Sequence, residues 1–138
     1  MKILALLSVF IGFQSAFAGG AGEPVLTKMT SAGARPPKFR NSRTVEVFAM
    51  GDVRITTEKG LSEKITNKPA LSGEVMKKIS KCIADVKKGR AVSRPNCAGS
   101  GLTTYYVGDK MVSIHMCGEV NTTQVSCVDS MISLLDRL

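Results

Sequence analysis

Four cysteines in a chain of 138 residues constrain the fold more than any other feature of the sequence. They are Cys82, Cys97, Cys117 and Cys127. In an oxidising compartment, four cysteines in so short a chain are expected to form two disulfide bonds, because a small hydrophobic core gains stability from cross-links. Pairing neighbours along the chain closes two short loops. We therefore predict the bonds Cys82–Cys97 and Cys117–Cys127, out of three possible pairings.

A metal site is the other common use of four cysteines. The chain has no C-x-x-C pair and a single histidine, so the ligand spacing of a four-coordinate zinc site is missing. We expect neither a metal nor another cofactor, and we assign the cysteines to disulfide bonds.

The first residues have the pattern of a signal peptide. Lys2 precedes an apolar stretch over residues 3–13, and residues 16–18 have the A-x-A form of a signal-peptidase site. A transmembrane anchor is the alternative, but the apolar run is shorter than the roughly 20 residues that cross a bilayer. We predict cleavage after residue 18 and an exported protein, periplasmic or extracellular, with no transmembrane segment in the mature chain.

Residues 19–43 are rich in glycine and proline and carry several bases. We expect a flexible basic arm here, with residues 36–37 holding a short extended stretch. Beside that stretch, Lys38, Phe39 and Arg40 could form a linear binding element. A plain linker or one additional edge strand is the alternative.

Residues 44–138 are predicted to form a single domain. Residues 44–50 and 53–58 alternate as a hairpin around the Gly51-Asp52 turn, followed by a polar connection over residues 59–68. The apolar face of this hairpin is predicted to consist of Phe48, Met50, Val53 and Ile55, with Val45 and Val47 on the partly exposed face.

A helix is predicted from Pro69 to about Gly89, with Asn67 as its cap. Its apolar residues recur at helical spacing and define a buried stripe. The stripe consists of Leu71, Val75, Ile79, Cys82, Ile83 and Val86.

The hairpin and helix pattern then repeats. Residues 102–107 and 110–117 flank a second Gly-Asp turn at residues 108–109, and Asn121 and Gln124 form a cap-like pair before a second helix. The sequence therefore predicts an α+β fold of two ββα units, in the order ββαββα. Its four-stranded antiparallel sheet has both helices on one face and is stapled by the disulfides. Chance similarity around a common turn is the alternative to duplication.

His115 is the only histidine, and histidine is the side chain best suited to proton transfer near neutral pH. The predicted register places it with Tyr106, Met111, Ser113 and Cys117, opposite the face of Tyr105. A pair of Cys117 and His115 could act as nucleophile and base, and a methionine beside His115 could help to bind copper. Because a disulfide is the better use of Cys117, we keep His115 as a weak catalytic candidate and favour a half-exposed strand histidine.

The strongest surface signal is a run of bases, opposed within residues 77–94 only by Asp85. At 100° per residue, Lys77, Lys81 and Lys88 fall on one stripe opposite the apolar stripe. A solvated helix face has the same appearance and is the alternative to a binding surface. The candidate partner-binding residues are Lys77, Lys81, Lys88, Arg90 and Arg94.

The net charge of +8 and the predicted export favour an acidic protein, an anionic cell-surface polymer or lipid headgroups as partner, with nucleic acid not favoured. A charge that serves solubility alone is the alternative. The chain has no nucleophile elbow, phosphate loop or dinucleotide fingerprint. We therefore expect a small exported binding module, such as an inhibitor or an envelope adaptor. The alternatives are a small secreted hydrolase or redox protein using His115, and a purely structural envelope component.

Overall fold

A computed structural model describes residues 22–33, 36–97 and 101–138, so the predicted signal peptide lies outside the described residues. The strands are β1 (Leu26–Ser31), β2 (Asn41–Val47), β3 (Val53–Lys59), β4 (Ser62–Lys68), β5 (Leu102–Val107), β6 (Lys110–Met116) and β7 (Glu119–Thr122). A short 3-10 helix covers Pro37–Phe39, and the α-helices are α1 (Gly73–Val86) and α2 (Val128–Arg137).

The described strands form one antiparallel sheet in the order β4-β3-β2-β1-β5-β6-β7. The prediction of an α+β protein with an antiparallel sheet and two helices is confirmed, but the sheet has seven strands rather than four. Apolar side chains from one face of the sheet pack with those of both helices in a single core. That core includes Leu26, Val45, Val47, Val53 and Val107 of the sheet, with Ile79, Val86, Val128 and Leu135 of the helices.

Strand β1 lies in the segment that the sequence predicts to be a flexible arm, so the prediction is wrong for this part. It occupies the centre of the sheet and pairs with both β2 and β5. Leu26 is fully buried between Val47 and Val107, which are its direct neighbours on the two sides. Backbone pairing on both edges orders this strand, and a local sequence pattern contains no information about such distant partners.

The two outer strands β4 and β7 also fall where no strand was predicted. Strand β4 replaces the predicted polar connection, and every one of its residues is exposed. Each predicted hairpin is thus extended by a third strand before its helix, so the chain reads as β1, then β2-β3-β4-α1, then β5-β6-β7-α2. Strand β1 pairs with the first strand of each unit.

The predicted core face of the first hairpin is right for Val53 and Ile55 of β3 and wrong for the strand before the turn. Val45 and Val47 are fully buried opposite Ile55 and Val53, whereas Met50 is 84% exposed. Residues 48–52 form the connection, in which the Gly51 N–H donates to the Phe48 carbonyl. This connection is longer than the predicted two-residue turn. It shifts the pairing by an odd number of residues, which exchanges the two faces of a strand.

The second hairpin is confirmed, with β5 and β6 joined at residues 108–109. Helix α1 is also present, but it begins later than predicted, because the Ser72 hydroxyl rather than Asn67 accepts from the Val75 N–H. Lys110 on β6 donates to the Val86 carbonyl at 2.8 Å and so satisfies the end of α1. Helix α2 begins at Val128, and the predicted cap residue Asn121 lies in β7.

Two disulfide bonds are present, but both predicted pairings are wrong. Cys82 is bonded to Cys127, and Cys97 is bonded to Cys117. The first bond joins the buried face of α1 to the start of α2, while the second joins the loop after α1 to the β6–β7 turn. Tertiary packing brings these segments together. Proximity along the chain, on which the prediction relied, therefore did not identify the bonded pairs.

Candidate functional site

The basic candidates on α1 lie on its solvent side. The amphipathic spacing of the helix buries Ile79, Cys82 and Val86 against the core. Lys77 and Lys81 therefore point away from the sheet and are exposed. Lys88 is also exposed, in the turn that follows the helix.

These bases are poorly neutralised within the protein. Between residues 73 and 97 the chain carries seven bases and two carboxylates. Among the described residues, only Lys78 has an ion pair in this stretch, with Glu74 at 3.7 Å. Both side chains of that pair are more than two-thirds exposed, so the pair contributes little to stability. The other bases leave a positive potential along α1 and the following turn.

A shallow groove separates α1 from α2 beside the Cys82–Cys127 bond. It encloses about 210 Å³ and is lined by Lys78 and Lys81 from one side and by Ser126 and Ser130 from the other. Asp85 also lines the groove and offsets part of the lysine charge. The disulfide below it holds the two helices at a fixed separation.

Arg90 and Arg94 lie in the loop that crosses to the β7 side of the sheet. The Thr123 hydroxyl donates to the Arg90 carbonyl at 3.1 Å, and the Asn121 amide donates to the Ser93 carbonyl at 2.6 Å. Asn121 is paired with Ile114 on the sheet face away from the core cluster. Of the five predicted binding residues, Lys77 and Lys81 therefore lie on α1, Lys88 lies in the turn after it, and Arg90 and Arg94 lie in the loop that follows.

The predicted neighbours of His115 are right for Ser113 and wrong for the two tyrosines. Tyr105 pairs with Ser113, whereas Tyr106 pairs with Met111, so the ladder contains a bulge at Val112. The extra residue moves the following residues of β6 to the other face of the sheet relative to β5. His115 therefore shares a face with Tyr105 instead of lying opposite it. The two rings are 5.3 Å apart between centroids, with an interplanar angle of 50°.

A polar cluster beside His115 is centred on Asp136 at the end of α2. Its carboxylate accepts from the Lys28 ammonium at 2.6 Å and from the Tyr105 hydroxyl at 2.9 Å. Burial, followed by the hydrogen bond to Asp136 and the charge of that carboxylate, raises the pKa of Tyr105 to about 12. Burial by itself would raise the pKa of Asp136. Hydrogen bonds from Lys28 and Tyr105, with the charges of Lys28 and His115, outweigh it and lower that pKa.

The side chains near His115 that could act as nucleophiles are engaged in hydrogen bonds or a disulfide bond. Its Nε2 atom lies 3.2 Å from the Ser113 hydroxyl, which is itself 2.7 Å from the Thr122 hydroxyl. Ser113 is fully buried, and the sulfur of Cys117 is bonded to Cys97. An open cavity of about 350 Å³ reaches His115, and neither the Ser113 hydroxyl nor a Cys117 thiol is available there as a nucleophile.

The cluster around Asp136 is absent from the sequence analysis. Lys28 and Asp136 are 108 positions apart, and Tyr105 is 31 positions from Asp136. The three residues match no motif at that spacing, so no sequence signal could have joined them. Their meeting follows from β1 lying beside β5 under the end of α2.

Comparison with known proteins finds no family model and no curated protein that matches this chain. Neither helix in the described ranges has the length and apolar character needed to cross a membrane. In the same ranges, no three side chains of the metal-binding types converge on a common point. The fold and surface therefore define the protein only as a disulfide-bonded α+β domain with a basic helix.

Proposed function

We propose that this protein is a small exported binding module whose disulfide-bonded scaffold presents a basic helix face to an anionic partner. The binding residues are Lys77, Lys81 and Lys88, and the partner is an acidic protein or an anionic cell-surface polymer. The observation that carries the proposal is the exposure of Lys77 and Lys81 on the solvent side of α1, and of Lys88 in the turn after it, without a carboxylate partner among the described residues.

The scaffold below this face supports a binding role. Ile79 and Val86 anchor α1 in the core, and the buried Cys82 is bonded to α2. The backbone of a rigid element loses little conformational freedom when a partner arrives. Two disulfide bonds also fit folding in an oxidising compartment outside the cytoplasm.

The expected interaction is electrostatic. Exposed charges chiefly speed encounter with a partner of opposite sign, and this attraction is screened over about 10 Å at 0.1 M salt. Capture of an anionic partner by α1 should therefore weaken steeply as salt is added.

Capture on immobilised polyglutamate and on an immobilised sulfated polysaccharide tests the proposal, with a salt series for each. The double variant Lys77→Glu/Lys81→Glu should weaken capture by at least about tenfold, because two attractive charges become repulsive. Lys68→Glu/Arg137→Glu is the matched control, since it reverses two exposed charges that lie outside α1 and the turn after it. Equal losses in both variants would show dependence on net charge alone and overturn the assignment to α1.

The alternative of a secreted hydrolase or redox protein is supported by one observation, the cavity beside His115. The burial of Ser113 and the disulfide of Cys117 weigh against it. It would gain support from a hydrolytic or thiol-exchange activity that His115→Ala abolishes without changing the unfolding midpoint. A wild-type protein that captures neither polymer would instead favour a purely structural envelope role.

A further inference from the structure

Two exposed apolar side chains sit on neighbouring loop tips at one end of the sheet. Phe39, on the 3-10 helix, is 56% exposed, and Leu61, in the β3–β4 turn, is 90% exposed. The Gly60 N–H donates to the Arg40 carbonyl at 2.8 Å, which joins the two loops next to these residues. Gly60 has a φ of 63°, and a Cβ there would lie 3.1 Å from the Lys38 carbonyl oxygen. The positive φ and the close approach therefore both favour glycine at this position.

Basic residues lie close to the two apolar side chains along the chain. We call the group the loop-tip patch, and it consists of Lys38, Phe39, Arg40, Lys59, Leu61 and Lys64. The Lys38 ammonium lies 5.0 Å from the centre of the Phe39 ring, so charge and apolar surface are in direct contact.

Two carboxylates lie close to the patch in the chain, fewer than its four bases. Glu58 accepts from the Ser42 hydroxyl at 2.6 Å, which occupies one of its oxygens. Glu63 is the other carboxylate, between Leu61 and Lys64 in sequence. The loop-tip patch and its neighbours therefore carry more positive than negative charge.

We propose that the loop-tip patch binds the surface of an anionic phospholipid bilayer. Single exposed apolar residues are ordinary, but two on adjoining tips, each with bases beside it in the chain, match what an interface with lipid requires. Phe39 and Leu61 enter the boundary between headgroups and acyl chains, while the bases remain among the anionic headgroups.

The shape of the patch favours a bilayer over a peptide. Leu61 is almost wholly exposed at the tip of a two-residue turn, so its side chain offers a peptide no enclosing walls. The cavity of about 450 Å³ that Lys59 lines lies beside the patch and includes neither Phe39 nor Leu61. The same exposed tip can enter the boundary layer of a bilayer. The patch is also distinct from the basic face of α1, because the whole of β4, roughly 20 Å of extended chain, separates Leu61 from the segment that leads into the helix.

Sedimentation with vesicles tests this proposal on the mature protein. Wild type should bind vesicles of phosphatidylcholine with phosphatidylglycerol and bind pure phosphatidylcholine vesicles at least about tenfold more weakly. Phe39→Ser/Leu61→Ser should weaken binding to the anionic vesicles by at least about tenfold, because both inserted side chains are lost. Met50→Ser is the matched control, since Met50 is 84% exposed in the β2–β3 connection and lies outside the patch.

Two outcomes would overturn the proposal: no binding of wild type to the anionic vesicles, or equal binding by wild type and the serine variant. An unchanged unfolding midpoint for the serine variant confirms that loss of binding is not loss of folding.

Lys59→Glu/Lys64→Glu should weaken vesicle binding more than Lys77→Glu/Lys81→Glu does. The reverse order would move lipid binding to α1 and reject the loop-tip patch. Polymer capture by α1 is measured without lipid, so the two proposals can fail independently.

Discussion

The Asp136 carboxylate joins distant residues of the chain in one small cluster. It holds the Lys28 ammonium from the central strand and the Tyr105 hydroxyl from the next strand. Tyr105 is 4% exposed and stacks at an angle on His115. These contacts fasten the end of α2 to the sheet, so we assign the cluster to stability rather than to catalysis.

The ionisation of Tyr105 should control stability at alkaline pH. Its pKa is raised to about 12 in the folded protein, above an ordinary value of 10. A raised pKa favours the folded state below the ordinary value, and this contribution is lost as the pH rises through 10 towards 12. Urea unfolding of wild type should therefore show falling stability in this range.

Two phenylalanine variants isolate this effect from the general loss of lysine charge at high pH. Tyr105→Phe should lose less stability than wild type between pH 10 and 12, because it has no hydroxyl to ionise. Tyr106→Phe, one position along β5, should behave like wild type. Identical slopes for wild type and Tyr105→Phe would contradict the role assigned to Tyr105.

At the scale of elements, the disulfide bonds connect parts that are distant along the chain. Cys82 and Cys127 hold α1 against α2 and have a sequence separation of 45. The bond between Cys97 and Cys117 lies inside that span and has a separation of 20. Closing a longer loop removes more conformational entropy from the unfolded chain, so the helix–helix bond is expected to contribute more.

Removing each bond separately tests this order. In the chain-entropy model, Cys82→Ala/Cys127→Ala should cost about 4 kcal/mol in the free energy of unfolding, and Cys97→Ala/Cys117→Ala about 3 kcal/mol. Cys82 is fully buried, so its truncation also leaves a small cavity and widens the difference. Urea unfolding measures both costs. A larger loss from the second pair would contradict the expected order, and peptide mapping of the unreduced protein checks the pairing itself.

At the scale of the whole molecule, β1 is the strand on which the two halves assemble. The units β2-β3-β4-α1 and β5-β6-β7-α2 meet only through its two edges within the sheet. Leu26 is its fully buried residue and has Val47 and Val107 as neighbours across the two ladders. Loss of packing at Leu26 should therefore weaken both halves together.

Leu26→Ala should lower the free energy of unfolding by about 3 kcal/mol, within the usual range for a buried leucine. Met29→Ala on the same strand is the matched control, because Met29 is 47% exposed, and it should cost less than about 1 kcal/mol. Urea unfolding with both helix and tyrosine signals should show one transition. Equal stabilities for Leu26→Ala and wild type would mean that β1 is not part of the cooperative core.

Much of the basic helix could be predicted from the sequence, whereas the surroundings of His115 could not. The spacing of Ile79, Cys82 and Val86 fixes the buried side of α1, so the exposure of Lys77 and Lys81 follows from local geometry. The face of His115 depends instead on the bulge at Val112. A single extra residue reverses a face, and the alternating pattern of the strand does not show where that residue falls.

By itself, the sequence determined the features that depend on residues near one another along the chain. These are the amphipathic helix α1, the hairpin at residues 108–109 and the α+β class. The tertiary structure decided the central place of β1, the partners of the cysteines and the cluster at Asp136. Each of these joins segments far apart in sequence. Such contacts form only when the whole sheet and both helices bury their apolar surface together, and no local pattern records which distant segments will meet.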